Sequence, residues 1–147
     1  MIREYRPQDL NLLMSLWLES TTLAHPFIHA NYWQESAALI RDVYIPQSQT
    51  WLYEKQGRIA GFISVLEGRF IGALFVHQHD WGKQIGAALI SHVQQQFPLL
   101  SLEVYQQNKR ACAFYRKQGF VVVQKNFNQE TQATMLLMQW ANPSPLK

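Results

Sequence analysis

In the middle of this sequence the spacing of apolar residues changes from that of strands to that of a helix, and this change limits the folds that the chain can adopt. Three β-rich runs follow one another from residue 50 and end with FIGALFV at 70–76. From Gln84 the period becomes helical, with apolar residues four apart until Pro98, and the apolar run LLSLEVY follows at once. A helix between two strands of one sheet makes those strands parallel. The sequence therefore predicts antiparallel strands followed by one parallel pair.

One strand and two helices are predicted before this unit. A short strand at 2–5 leads into a helix that is expected to end near Ser20. The segment STTLAHPFI has no clear period and contains a residue before proline, so we expect a shaped loop there. A second helix is predicted at about 32–44, closed by Pro46.

A helix and two strands are predicted after this unit. Asn108 can cap the helix, and Gly119 suits the left-handed residue that would end it. Two β-rich runs, VVVQKNF and ATMLLMQW, follow. The predicted fold class is α/β (α+β), with a central mixed, mostly antiparallel sheet of about seven strands, strands four and five parallel, and about four flanking helices.

Length and composition favour one packed domain. Of the 147 residues, 48% are apolar and 16% are charged, which suits a globular core. We expect a single domain at 1–141 and a short, frayed tail at 142–147. Cys112 is the only cysteine, so no internal disulfide can form, and the cytoplasm is the compartment expected.

Charge and hydropathy argue against several classes of partner. No apolar stretch is long enough to span a bilayer and none resembles a secretory signal, so no membrane partner is expected. The net charge of +3 weakly favours anionic partners. Lysines and arginines do not cluster and no recognition motif is present, so we expect no nucleic-acid partner.

Three motifs stand in a fixed order along the chain. FIGALFV is followed by HQHDWGKQIG, which opens a helix; LEVYQQN comes next, and NKRACAFYRKQGF is last. In this order and spacing they resemble the GNAT superfamily of N-acetyltransferases. The resemblance covers the whole chain, and the loop STTLAHPFI is similar to that of small bacterial members. It implies acetyl-CoA as co-substrate and an amine as acceptor.

The segment WGKQIG joins a strand to a helix, so its N–H groups and the helix dipole are expected to converge on an anion. In the family this turn reads Arg or Gln, two residues, Gly, one residue, then Gly or Ala, and it cradles the pyrophosphate of coenzyme A. Trp81 replaces the first residue here and Gln84 the first glycine. The side chain of Gln84 can crowd a phosphate, although the backbone donors survive if the local geometry is helical, and Lys83 adds positive charge. The residues that fit the family pattern are Gly82, Lys83, Ile85 and Gly86.

The resemblance also implies where the rest of the coenzyme lies. Its pantetheine arm would lie between strands four and five and pair with the backbone of Leu74, Phe75 and Val76. Asn108 would contact the pantetheine or the phosphate region. Tyr115 would lie beside the thioester sulfur and, as a phenol, could protonate the departing thiolate as general acid. A helix cap for Asn108 and core packing for Tyr115 are the structural alternatives.

The implied reaction is direct attack of a neutral amine on the thioester carbonyl. Cys112 is turned away from Tyr115 on the helix, so we interpret it as a buried, inert thiol. A backbone N–H near Phe75 or Val76 would hold the oxyanion. No metal is needed, since His77 and His79 lack further ligands at suitable spacing.

The residues on the acceptor side are identified less sharply. A lysine amine is mostly protonated at pH 7, so a base or a water chain must take its proton. Glu67, Glu103 and His25 remain open as the base. Phe27, Phe70 and Trp33 are candidates for lining the acceptor pocket.

The function predicted is acetyl-CoA-dependent N-acetylation of a primary amine, with a protein lysine or an N-terminal amine as acceptor. A small-molecule amine is one alternative. The second is an acyl-CoA-binding sensor without turnover, which the replacements at Trp81 and Gln84 suggest. A homodimer through the β-rich C-terminal strands is left open.

Overall fold

The computed structural model describes residues 1–143, and along them helices and strands follow one another in the predicted order. The elements are β1 (Ile2–Glu4), α1 (Leu10–Ala24), α2 (Ala30–Leu39), α3 (Ile45–Gln47), β2 (Ser48–Lys55), β3 (Arg58–Leu66), β4 (Phe70–Val76), α4 (Ile85–Gln94), β5 (Leu99–Tyr105), α5 (Lys109–Lys117), β6 (Val121–Asn128) and β7 (Ala133–Ala141). A π-helical turn at Ile40–Tyr44 joins α2 to α3, so these two form one continuous rod. Four helical rods therefore flank the strands.

The seven strands form one sheet in the order β1-β2-β3-β4-β5-β7-β6. The strands β4 and β5 are parallel, and the other neighbours are antiparallel. The crossover helix α4 lies between the parallel strands in the chain, as its period predicts. The predicted fold class is confirmed.

The two faces of the sheet bury different helices. Leu89 and Val93 of α4 pack with Leu102 on one face, and Leu13 and Trp17 of α1 pack on the other. Full burial of one such side chain contributes about 1.5–3 kcal/mol. The two layers therefore fix the sheet firmly between α1 on one side and α4 on the other.

Two predicted boundaries differ from the structure. The first helix continues past Ser20 to Ala24, because Ser20 and Thr21 are buried on the same face as Trp17. Small polar residues thus extend a buried face that apolar periodicity does not reveal. The rod that begins as α2 continues through Pro46 and ends one residue later, at Gln47, so the second helix extends three residues beyond its predicted end.

The residue that follows β7 is held beside the start of β5. The Asn142 N–H donates to the Pro98 carbonyl over 2.8 Å. The rest of the predicted tail, 144–147, lies outside the described residues. Among residues 1–143, no helix has the length and apolar character needed to cross a bilayer.

Candidate active site

A gap opens between β4 and β5 part of the way along the pair. The last paired residues are Ile71 and Leu102. The next residue, Gly72, is an extra residue on β4, because the register to β3 shifts between Ser64 and Val65. Such a bulge bends a strand and increases its twist. A methyl group placed on Gly72 would meet no described atom within 4 Å, so the bulge stands beside open space.

Beyond the bulge, β4 presents its backbone to this gap. The side chains of Leu74 and Val76 pack towards α4, and that of Phe75 packs towards α1. The backbone edge facing β5 is thus left without a strand partner in the described chain. One group is engaged: the Val76 carbonyl accepts a hydrogen bond from Nε1 of Trp81 over 3.0 Å.

The turn from β4 to α4 keeps the shape of a glycine turn without the glycine. Gln84 is the N-cap of α4 and is left-handed, with φ of +67°. Helical geometry, the condition for the backbone donors to survive the replacement of glycine, therefore begins only at Ile85. The left-handed conformation costs a non-glycine residue about 1–2 kcal/mol. In residues 1–143 no side-chain bond from Gln84 caps the helix. The first N–H groups of α4 are therefore left for another acceptor, and the helix dipole favours an anion there.

Lys83 belongs to an ion cluster that the sequence analysis missed. Its Nζ lies 3.6 Å from Oδ1 of Asp80, and Lys55 Nζ lies 3.6 Å from the same oxygen. Arg58 binds both carboxylate oxygens, at 2.8 and 3.0 Å. These hydrogen bonds are the main reason why the pKa of the buried Asp80 carboxyl falls to about 2. One feature of the predicted fold could have indicated this cluster. The turn between β2 and β3 lies at the same end of the sheet as the C-terminal end of β4, so residues from the two places can meet.

Helix α5 lies beside the start of α4. A methyl group on Gly86 would lie 3.3 Å from the Phe114 ring, so glycine allows this close approach. Asn108 caps α5, since its side chain accepts the Ala111 N–H over 3.2 Å. Both β4 and β5 thus end beside a helix N-terminus.

Tyr115 projects from α5 between two other rings. The Tyr115 ring lies 5.3 Å from that of Phe114 and 5.9 Å from that of Phe120, centre to centre. Burial, and then the nearby Cys112, raises the pKa of the Tyr115 phenol well above its ordinary value. The phenol is therefore protonated at neutral pH. The expectation that Cys112 is turned away from Tyr115 is wrong, because residues three apart lie on the same side of a helix. Burial also raises the pKa of the Cys112 thiol, which suits an unreactive core residue.

An aromatic cluster joins the segment after α1 to the end of β5. The His25 ring lies 5.8 Å from Phe27, 5.0 Å from Trp33 and 5.2 Å from Tyr105, between ring centres. His25 Nδ1 lies 2.7 Å from the Thr21 carbonyl, so Nδ1 carries the hydrogen and Nε2 is the basic nitrogen. Burial lowers the pKa of His25, which keeps the ring neutral. Tyr105 was not singled out from the sequence.

Of the remaining acceptor-side candidates, Glu103 lies two residues before Tyr105 on the same face of β5, whereas Phe70 and Glu67 lie at or before the start of β4. Glu103 is exposed on β5 and points away from the buried Leu102. Phe70 is at the start of β4, where the strands are still paired. Glu67 lies in the turn before β4, where its carboxylate pairs with Arg69 over 3.3 Å.

The histidines near the β4–α4 turn stack on each other. The rings of His77 and His79 are 4.9 Å apart between centres. No group of three or more metal-binding side chains occurs within residues 1–143.

The parallel strands that separate at a bulge, with a helix N-terminus at the end of each, form the framework of the candidate site. Residues 3–141 match the acetyltransferase (GNAT) domain family. The chain belongs to the GNAT family and is an N-acetyltransferase.

Known proteins resemble the chain over nearly its full length. It is 46% identical over 140 residues to peptidyl-lysine N-acetyltransferase YiaC of Escherichia coli, covering 95% of this chain and 96% of YiaC. It is 31% identical over 122 residues to peptidyl-lysine N-acetyltransferase YjaB of the same organism, covering 82% of each. The solution structure of the apo form of YjaB superposes with a TM-score of 0.82 at 27% identity and covers 97% of both chains. An aminoglycoside 6′-N-acetyltransferase complexed with coenzyme A shares the fold, with a TM-score of 0.74 at 16% identity and 96% of each chain covered.

Proposed function

We propose that this enzyme transfers the acetyl group of acetyl-CoA to the side-chain amine of lysine residues in proteins. The separation of β4 and β5 at Gly72, with the N-terminus of α4 at one end of the gap, is the observation that carries the proposal. A lysine acceptor is supported by YiaC and YjaB, whose names state that activity. The proposal places the reaction in the cytoplasm.

The residues around the gap fit the coenzyme, a co-substrate that supplies the thioester. The N–H groups in the first turn of α4, which begins at Ile85, suit the pyrophosphate because they have no intrahelical hydrogen-bond partners. The open edge of β4 beyond Gly72 suits the amide groups of the pantetheine arm. The residues proposed to hold the coenzyme are Leu74, Phe75, Val76, Trp81, Gly82, Lys83, Gln84, Ile85, Gly86 and Asn108.

The proposed chemistry is direct aminolysis of the thioester. The neutral amine forms a C–N bond to the carbonyl carbon while the C–S bond breaks. Tyr115 gives its proton to the leaving sulfur, because a tyrosine phenol is protonated at neutral pH and can act as a donor. The proton that the new amide nitrogen then loses passes through water to restore the phenol. A backbone N–H near Phe75 or Val76 holds the oxyanion, a type of contact worth about 3 kcal/mol.

Two groups are proposed to act on the acceptor amine. The exposed carboxylate of Glu103 attracts the lysine ammonium group. His25 is neutral, and its hydrogen bond to Thr21 leaves Nε2 as the nitrogen that can accept a proton. Phe27 beside it provides an apolar wall for the lysine methylenes, and Phe70 is proposed as a more distant wall of the same pocket.

Steady-state acetylation assays test this proposal. The substrates are acetyl-CoA and two peptides of matched length: one has a single lysine and a blocked N-terminus, and the other has arginine in place of the lysine and a free N-terminus. Turnover of the first alone, with the acetyl group located by mass spectrometry, is the expected result. Turnover of spermidine or an aminoglycoside but of neither peptide would point to a small-molecule enzyme. Binding of acetyl-CoA without turnover of any amine would point to a sensor.

A further inference from the structure

The ion cluster around Asp80 holds more positive charge than its carboxylate can neutralise. The Asp80 side chain is 0% exposed, whereas those of Lys55, Arg58 and Lys83 are 33%, 46% and 51% exposed. Within residues 1–143, these three cations form ion pairs with Asp80 and with no other acidic side chain. The carboxylate thus holds three partly exposed cations together while neutralising one charge.

The location of the cluster determines which group of a bound ligand its surplus positive charge can reach. Lys83 lies two residues before Ile85, at which α4 begins, and Lys55 and Arg58 come from the turn between β2 and β3. The cations are therefore held, through Asp80, at the segment that leads into the N-terminus of α4. A second anionic group, attached to one that the helix N-terminus binds, would lie within their reach.

We infer that Lys55 and Arg58, together with Lys83, bind the 3′-phosphate of coenzyme A and so distinguish coenzyme A from its dephosphorylated form. This inference rests on the proposed acetyl-CoA donor. A phosphate monoester carries about −1.5 to −2 charges at neutral pH, which matches the surplus of the cluster. The pyrophosphate has its own donors in the N–H groups of α4. Asp80 acts as a positioning residue that holds the cations from beneath.

Calorimetric titration with two ligands tests the inference. Coenzyme A and dephospho-coenzyme A are titrated into the unaltered protein, Lys55→Ala and a control, Lys125→Ala, which removes an equal charge from the exposed strand β6. We expect the unaltered protein and the control to bind coenzyme A about tenfold more tightly than dephospho-coenzyme A. In Lys55→Ala this ratio should fall to about threefold or less, with the Kd of dephospho-coenzyme A unchanged.

A ratio that stays near tenfold in Lys55→Ala would overturn the inference, because a group outside the cluster would then recognise the 3′-phosphate. Equal affinity of the unaltered protein for the two ligands would overturn the inference and leave the proposed function intact. Loss of affinity for both ligands to the same degree in Lys55→Ala would place Lys55 at the pyrophosphate and would also overturn it. If neither ligand bound the unaltered protein, the proposed coenzyme site itself would be wrong.

Discussion

The indole Nε1 of Trp81 donates a hydrogen bond to the Val76 carbonyl over 3.0 Å. This bond ties the last residue of β4 to the turn that leads into α4. The guanidinium carbon of Arg110, at the start of α5, lies 3.8 Å from the centre of the Trp81 ring. One side chain thus links the three elements that surround the proposed coenzyme site, in a position where the family has Arg or Gln.

Replacing Trp81 should therefore weaken coenzyme binding in two steps. Trp81→Ala removes both the hydrogen bond and the ring beneath Arg110, which are worth about 0.5–1.5 and 0.5–1 kcal/mol. We expect the Kd for acetyl-CoA to rise about tenfold. Trp81→Phe keeps the ring and should raise the Kd about threefold. Tighter binding by Trp81→Ala, measured by calorimetry, would mean that the indole obstructs the site instead.

Gln84→Gly should improve both stability and coenzyme binding. Glycine adopts a φ of +67° without the clash that a Cβ brings, and it removes a side chain beside the proposed pyrophosphate site. Glycine also gains entropy in the unfolded chain, so we expect Tm to rise by only about 2 °C. The Kd for acetyl-CoA should fall severalfold.

The matched control for this change is Gln132→Gly. Gln132 is also left-handed, with φ of +55°, but it lies in the turn between β6 and β7. It should alter stability without altering the Kd for acetyl-CoA. An unchanged Kd in Gln84→Gly as well would mean that the Gln84 side chain does not approach the phosphate.

Tyr115→Phe should abolish most of the activity while leaving the fold intact. The phenyl ring keeps its packing against Phe114 and Phe120, so Tm and the Kd for acetyl-CoA should change little. Loss of the proton donor should lower kcat about 10²-fold or more. Single-turnover rates with a lysine peptide measure this directly, and an unchanged rate would remove the general acid from the proposal.

Much of the fold could be predicted because its signals are local. The order of strands and helices follows from period changes around Gln84 and from terminators such as Pro98 and Gly119. The bulge at Gly72 could not be predicted in this way, because it follows from how β3 and β4 align along their whole length. A strand sequence such as FIGALFV does not determine the register in which β4 pairs with β3.

The candidate site likewise combines features that the local sequence predicts with contacts that only the tertiary structure creates. The cap at Asn108 and the start of α4 are encoded in consecutive residues, and both lie where the sequence places them. The cluster around Asp80 joins two turns that are far apart in the chain, at Lys55 and Arg58 and at Lys83. Tyr105 is likewise brought to His25 only by the fold. Contacts of this kind depend on tertiary structure, which single-sequence patterns do not specify.

His25 should make the stability of the protein fall as the solution becomes acidic. Burial lowers the pKa of its imidazole, and the hydrogen bond to the Thr21 carbonyl opposes this only in part. Because the unfolded chain then binds a proton more readily than the folded one, the free energy of unfolding stays constant above the ordinary pKa of about 6.5 and decreases below it. We expect Tm to fall between pH 7 and pH 5, and to fall less steeply in His25→Gln.

The comparison is between slopes, because His25→Gln also loses packing against Trp33 and Tyr105 and so starts from a lower Tm at every pH. Scanning calorimetry at constant ionic strength measures both slopes. If they are equal, His25 does not have a depressed pKa in the folded protein. Its imidazole would then titrate near the ordinary pKa of about 6.5, and burial would not be what keeps Nε2 available as the base for the lysine amine.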